Sequence, residues 1–245
     1  MRAALLALTV AIAAGGCGGG GAAGGGSTND RPAIFAASSL TEVFPKIDPE
    51  ATYNFAGSDD LATQITEGAP ADVFAAASPK YADQLFEDGL VDKPEVFATN
   101  KLVLIVPKGN PAAIESVDDL RDPDVKLVIG AEGVPIGDYT RTVLENMDAS
   151  DVLDQVVSEE DDVKGVVGKV SLGEADAGFV YVTDVEPVES KVTAIELPDE
   201  AQATVQYEIA VLKAAPHHDA AHRFVEQVLG DEGQAKLQAA GFGPP

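Results

Sequence analysis

Two hydrophobic rhythms alternate along the chain from residue 31 onward. Short unbroken apolar runs appear at Ala33–Ala37, around Tyr53 and Phe55, at Val73–Ala77, Leu102–Val106, Leu127–Gly130 and Ala177–Val182, and along Thr204–Lys213. Each is bounded by glycine, proline or polar residues, as buried strands are. Between them the apolar residues recur every three or four positions. Leu61, Ala62 and Ile65 mark a helix from Ser58 to Gly68, and Pro79–Phe86 a helix stopped by Gly89. Val117–Leu120 reads as a short helix, and another starts near Gly137. Val163, Val166, Val167 and Val170 share one helix side, and His218–Leu229 and Glu232–Ala239 read as the last two helices. Strands interleaved with helices predict an α/β fold with largely parallel sheets. The pattern restarts after Pro107–Pro111, and one late strand, Thr204–Lys213, returns. Two lobes with a cleft between them account for both features.

Three junctions repeat one arrangement: a strand ends, a short loop follows and a helix begins. They lie at Ser38-Ser39, at Gly57-Ser58 and at Ala131–Pro135. In an α/β sheet such junctions share the carboxyl edge of the strands, where ligands bind. A helix start offers free backbone N–H groups and the positive end of a dipole, and a serine adds a hydroxyl, so these junctions suit an anion. Ser39-Leu-Thr-Glu42 also fits a capping box, which would give Ser39 a purely structural task.

Charge narrows the partners. Lys and Arg number 16 against 41 Asp and Glu, a net charge of −25, which disfavours nucleic acid and anionic membrane surfaces. The acidic run Glu159–Asp162 lacks the alternating ligands and central glycine of a calcium loop, and reads as a helix cap with a solvated face. Nothing points to an enzyme: there is no Gly-x-Ser-x-Gly elbow, and no base lies near Ser39 or Ser58 in the chain. The histidines are His217, His218 and His222. The last two are spaced for one helix face, but without the H-E-x-x-H pattern they read as surface residues, so no metal site and no cofactor is expected.

The N-terminus is a targeting segment. Arg2 precedes the apolar Ala3–Ala14, and Gly15-Gly16-Cys17 places small residues ahead of the lone cysteine. This resembles a bacterial lipoprotein signal, with Cys17 the lipidated residue. Residues 18–30 are a glycine-rich tether unable to build a core.

Several blocks together carry a family resemblance. They are FAASSLTEVF (Phe35–Phe44), GSDDLATQITEGAPADVFAAAS (Gly57–Ser78), VIGAEGVPIGDYTRTVLE (Val128–Glu145), DDVKGVVGKVSLGEADAGFVYVTD (Asp161–Asp184) and AKLQAAGFG (Ala235–Gly243). In this order they resemble the periplasmic molybdate-binding proteins of ABC transporters. The resemblance implies a type II, two-lobed periplasmic binding fold, with residues 31–103 and 206–245 forming the first lobe and 104–205 the second. It implies a tetrahedral oxyanion, molybdate or tungstate, held by Ser39, Ser58, Tyr181 and the backbone N–H groups of Ile136 and Val163. Ser38 stands where the family has alanine. Together with the lipoprotein signal it further implies a monomer outside the cytoplasm, held at the outer face of the cytoplasmic membrane through its lipid alone and delivering to permease subunits. A receptor for sulfate or ferric iron, or a lipid-anchored module without a transport role, are the alternatives.

Overall fold

The computed structural model describes residues 31–245. The expected signal segment 1–17 with Cys17 and the expected tether 18–30 lie outside the described residues.

Two five-stranded sheets organise the chain. The first is built on β1 (Ala33–Ala37), with β2 (Thr52–Ala56) and β3 (Val73–Ala76) parallel to it on either side. Ala36 of β1 lies level with Phe55 and with Ala75, so the carboxyl ends of all three strands reach one edge together. β1 and β3 are apolar throughout because helices cover both faces. Ile34 and Ala36 belong to the main core, while Phe35 belongs to a second core under α2 (Ser58–Thr66) and α3 (Pro79–Glu87). Gly68 and Gly89 end these helices with φ of 93° and 75°, a conformation glycine adopts freely.

β4 (Glu95–Asn100) and β5 (Leu102–Pro107) are separated by a single residue, and there the chain passes from the first sheet to the second. In the second sheet β6 (Leu127–Gly130) pairs in parallel with β7 (Val156–Glu160) and β8 (Ala177–Tyr181). β9 (Val192–Glu196) lies at the far edge beside β5, and β10 (Val205–Val211) re-enters the first sheet between β3 and β4.

The sheets are therefore mixed rather than largely parallel. β5 runs antiparallel to β8 and β9, and β10 antiparallel to β3 and β4. The reason is topological. A strand that enters a lobe from the crossing point must run away from the cleft, against the strands that run toward it.

The helices differ in detail from the sequence pattern. The turn after β1 is one 3-10 turn, Ser38–Leu40, followed by the short α1 (Phe44–Ile47). The Ser39–Glu42 capping box does not form: Ala37 precedes the turn without a side-chain cap, Glu42 is exposed, and the Ser39 hydroxyl is engaged elsewhere. α4 (Pro135–Asn146) begins at its proline, two residues before Gly137, since a proline at the first position loses no helical hydrogen bond. α5 (Val163–Ser171) is capped by Asp162, whose Oδ1 accepts from Gly165 N–H at 2.9 Å. Glu159 and Glu160, the other part of that acidic run, are the end of β7; they pair with Arg141 and Lys169. α6 (His218–Leu229) and α7 (Asp231–Ala239) close the chain. Phe242 packs edge-on against Tyr207 at 5.3 Å, and Gly243 exchanges backbone hydrogen bonds with Thr99. Among the described residues no helix is long and apolar enough to cross a membrane.

Candidate functional site

The lobes are closed on each other. Lys80 on α3 pairs with Asp138 on α4 at 3.1 Å, and the Tyr81 hydroxyl donates to the Gly133 carbonyl. Gly57 abuts the Asp161 carbonyl oxygen so closely that a Cβ would lie 2.5 Å from it.

Between them is a small cavity lined by Ser39, Ser58, Ile136, Val163 and Tyr181 together. All five predicted residues reach one space, from both lobes. Ser38, Gly57, Pro135 and Asp162 complete much of its wall. No lysine, arginine or histidine lines it, so a bound anion meets dipoles and hydrogen-bond donors rather than a counter-charge.

Each donor is set by its element. Ser58 is the first residue of α2 and caps nothing; its Oγ accepts from Ala77 N–H at 3.0 Å. With that lone pair occupied, its own proton is free to point into the cavity. Ser39 lies 2.9 Å from the Tyr207 hydroxyl. Behind it a chain of bonds fixes the direction. Asn100 Oδ1 accepts from Lys101 N–H, which turns Asn100 Nδ2 toward Thr183 Oγ1 and the Tyr207 oxygen, at 3.0 and 3.4 Å. Tyr207 accepts from Asn100 and shares one hydrogen bond with Ser39 in which either hydroxyl can donate; with Tyr207 as the donor, the Ser39 proton is left for the cavity.

Ile136 is the second residue of α4 and Val163 the first of α5, positions whose N–H groups have no partner inside the helix. α4 sits close against β6 because Gly137 has no Cβ; one would overlap the Ala131 carbonyl oxygen. Tyr181 ends β8, is 1% exposed, and its hydroxyl has no hydrogen-bond partner. Burial pushes its pKa well above the ordinary tyrosine value, so it remains a neutral donor. Burial does the same for Tyr207, against the opposing pull of Ser39.

Asp162 is the one carboxylate on the wall, and its cap of α5 engages one oxygen. Behind the wall Asp184, almost fully buried, pairs with Lys164 at 3.0 Å. Burial raises the Asp184 pKa, with Lys164 pulling it back. The Asn100–Tyr207 chain and Asp184 are what sequence reasoning missed. Tyr207 is 168 residues from Ser39, and its only signal was an inward position in an alternating strand. None of the three histidines lines the cavity.

Residues 45–243 match the family model described as bacterial extracellular solute-binding protein. The molybdate-binding protein ModA of Mycobacterium tuberculosis is 39% identical over 222 residues, covering 86% of this chain and 84% of the relative. ModA of Haemophilus influenzae is 31% identical over 227 residues, covering 85% and 88%. Among solved structures, the Azotobacter vinelandii periplasmic molybdate-binding protein superposes with a TM-score of 0.77 over 88% of this chain and all of its own. At 20% identity that last likeness speaks for the fold, the two-lobed type II periplasmic binding fold. The chain belongs to the bacterial extracellular solute-binding protein family, among the molybdate-binding ModA proteins, and is a binding protein rather than an enzyme.

Proposed function

We propose that the protein captures molybdate, and tungstate of nearly the same size, outside the cytoplasmic membrane and delivers it to an ABC transporter permease. One observation carries the reading: a cavity between two lobes whose polar groups, the capping carboxylate Asp162 apart, are neutral donors, with the buried Tyr181 hydroxyl left without a partner. A buried donor without a partner is costly, so the closed cavity is complete only with an acceptor in it. An oxyanion supplies acceptors in every direction. Ser39, Ser58 and Tyr181 donate side-chain protons, and Ile136 and Val163 backbone N–H groups, each of the latter at the positive end of a helix dipole. Neutral donors hold a dianion without a counter-charge that would hinder release. Protonated phosphate would need an acceptor, and the one carboxylate on the wall, Asp162, already gives one oxygen to the cap of α5.

In this reading the first sheet with its helices moves as one lobe and the second sheet with its helices as the other, the crossings lying at Lys101 and just before Val205, within two residues of the expected bounds; the chain works as a monomer, and Cys17 carries the lipid that holds it at the outer face of the cytoplasmic membrane. The test is thermal stabilisation by oxyanions. Molybdate and tungstate should raise the melting temperature at concentrations where sulfate and phosphate do not, since a ligand that binds only the native state stabilises it by mass action. Equal shifts with sulfate would replace the molybdate reading with that of a general oxyanion receptor. The anchor has its own check. Cys17→Ser should move the protein from the membrane fraction to the soluble one, and persistence at the membrane would refute lipidation at Cys17.

A further inference from the structure

Three potential metal ligands meet on the first lobe. His218 and His222 lie one turn apart at the start of α6, and Asp92 faces them from the loop between α3 and β4. A ligand atom from each lies within 4.8 Å of the other two, and the imidazole centroids are 4.5 Å apart. None of the three lines the anion cavity.

We propose that Asp92, His218 and His222 form a binding site for one divalent transition-metal ion of the zinc type. Two imidazole nitrogens and a carboxylate oxygen suit zinc, nickel and copper, whereas magnesium and calcium prefer all-oxygen sets. Ligand atoms about 2.0–2.2 Å from a shared ion lie up to about 4.4 Å apart. The two histidines are exposed, so small side-chain rotations close the remaining gap. Three protein ligands leave a fourth position to water or an outside donor.

The backbone on both sides is already fixed. Asp92 N–H donates to Val211 at 2.8 Å, Lys213 N–H donates to Leu90 at 2.9 Å, and Val91 between them is fully buried. The other side is fastened one residue before α6. There His217 N–H donates to Asp72 Oδ1 at 2.7 Å, and its ring nitrogen lies 3.0 Å from Asp72 Oδ2. Asp72 is itself fully buried beside β3. Both walls are thus tied to the two ends of one short segment that follows β10, and little backbone freedom remains to be lost on binding. A helix start disfavours a cation, and the charges of Asp92 and Asp219, the latter in the first turn of α6, offset this. A bound ion would clamp the return segment onto the loop after α3.

The test uses protein expressed without a histidine tag and stripped with a chelator. Zinc chloride is titrated by calorimetry and melting temperature is followed in parallel. The expected result is one zinc per chain, a rise in melting temperature, and no rise with magnesium. His222→Ala and Asp92→Asn should each weaken zinc at least tenfold and diminish the rise, and the double variant His218→Ala/His222→Ala should abolish it. All three change side chains that lie clear of the core, so their metal-free melting temperatures and their molybdate binding should match the wild type. Zinc bound equally well by the double variant would mean scattered carboxylates hold it, and would overturn the site. So would magnesium raising the melting temperature as zinc does.

Discussion

Ser39 and Ser58 look alike in the sequence, each a serine between a strand and a helix. The structure gives them different supports and hence different mutational signatures. Ser58 accepts from the buried Ala77 N–H, so Ser58→Ala leaves that group unsatisfied and should cost about 1–3 kcal/mol of stability as well as a donor. Ser39 is backed by Tyr207, which keeps Asn100 as a partner when Ser39 is lost, so Ser39→Ala should affect binding more than stability. A hydrogen bond to a charged ligand contributes roughly 1.5–3 kcal/mol, so each change should lower molybdate affinity by about one to two orders of magnitude. Calorimetry on both variants, alongside their melting temperatures, checks the division; unchanged affinity in both would place the site elsewhere. That the serines, Ile136, Val163 and Tyr181 meet at one cavity was legible because short blocks around them carry the family pattern and because strand ends converge. Without the resemblance Val163 and Tyr181 are indistinguishable from core residues. Tyr207 and Asn100 were not legible, because a hydrogen bond across such sequence distances leaves no local periodicity.

The strands divide by position in the sheet. The central ones, β1, β3, β5, β6, β8 and β10, are apolar runs visible in the sequence. The unread strands β4, β7 and β9 all lie at sheet edges, where one side meets water and charged residues are tolerated; Val156–Glu160 and Val192–Glu196 each end in glutamate. Helix starts matter more than helix lengths here, since α2, α4 and α5 all bring their first residues to the cavity. The junction before α2 also limits closure. Gly57 has φ −59°, open to any residue, so Gly57→Ala should fold normally. Its Cβ would nevertheless meet the Asp161 carbonyl when the lobes shut. The expected outcome is an unliganded melting temperature near wild type, with molybdate affinity reduced by at least about tenfold, roughly 1.4 kcal/mol. Wild-type affinity would show that the lobes bind without closing this far.

The two-lobed plan was readable from the mid-chain restart and the late return strand; the mixed direction of the sheets was not, because hydrophobic pattern carries no strand polarity. At this scale the buried charge behind the site makes a pH prediction. The folded pKa of Asp184 lies above its unfolded value, so folding favours its neutral form. That contribution is present in full below about pH 4 and is lost as pH rises through the folded pKa. Asp184→Asn removes this loss. The melting temperature of the variant minus that of wild type should therefore grow from pH 4 toward neutrality, whereas a difference independent of pH would mean that Lys164 compensates the charge fully.

The central claim is that neutral donors from both lobes enclose molybdate. Anomalous diffraction at the molybdenum edge, on crystals grown with molybdate, tests it most directly. The account predicts one strong peak inside the cavity, with oxyanion oxygens within hydrogen-bonding distance of Ser39 and Ser58 Oγ, the Ile136 and Val163 nitrogens and the Tyr181 hydroxyl. A peak outside the cavity, or inside it but contacting Lys80 rather than these donors, would contradict it.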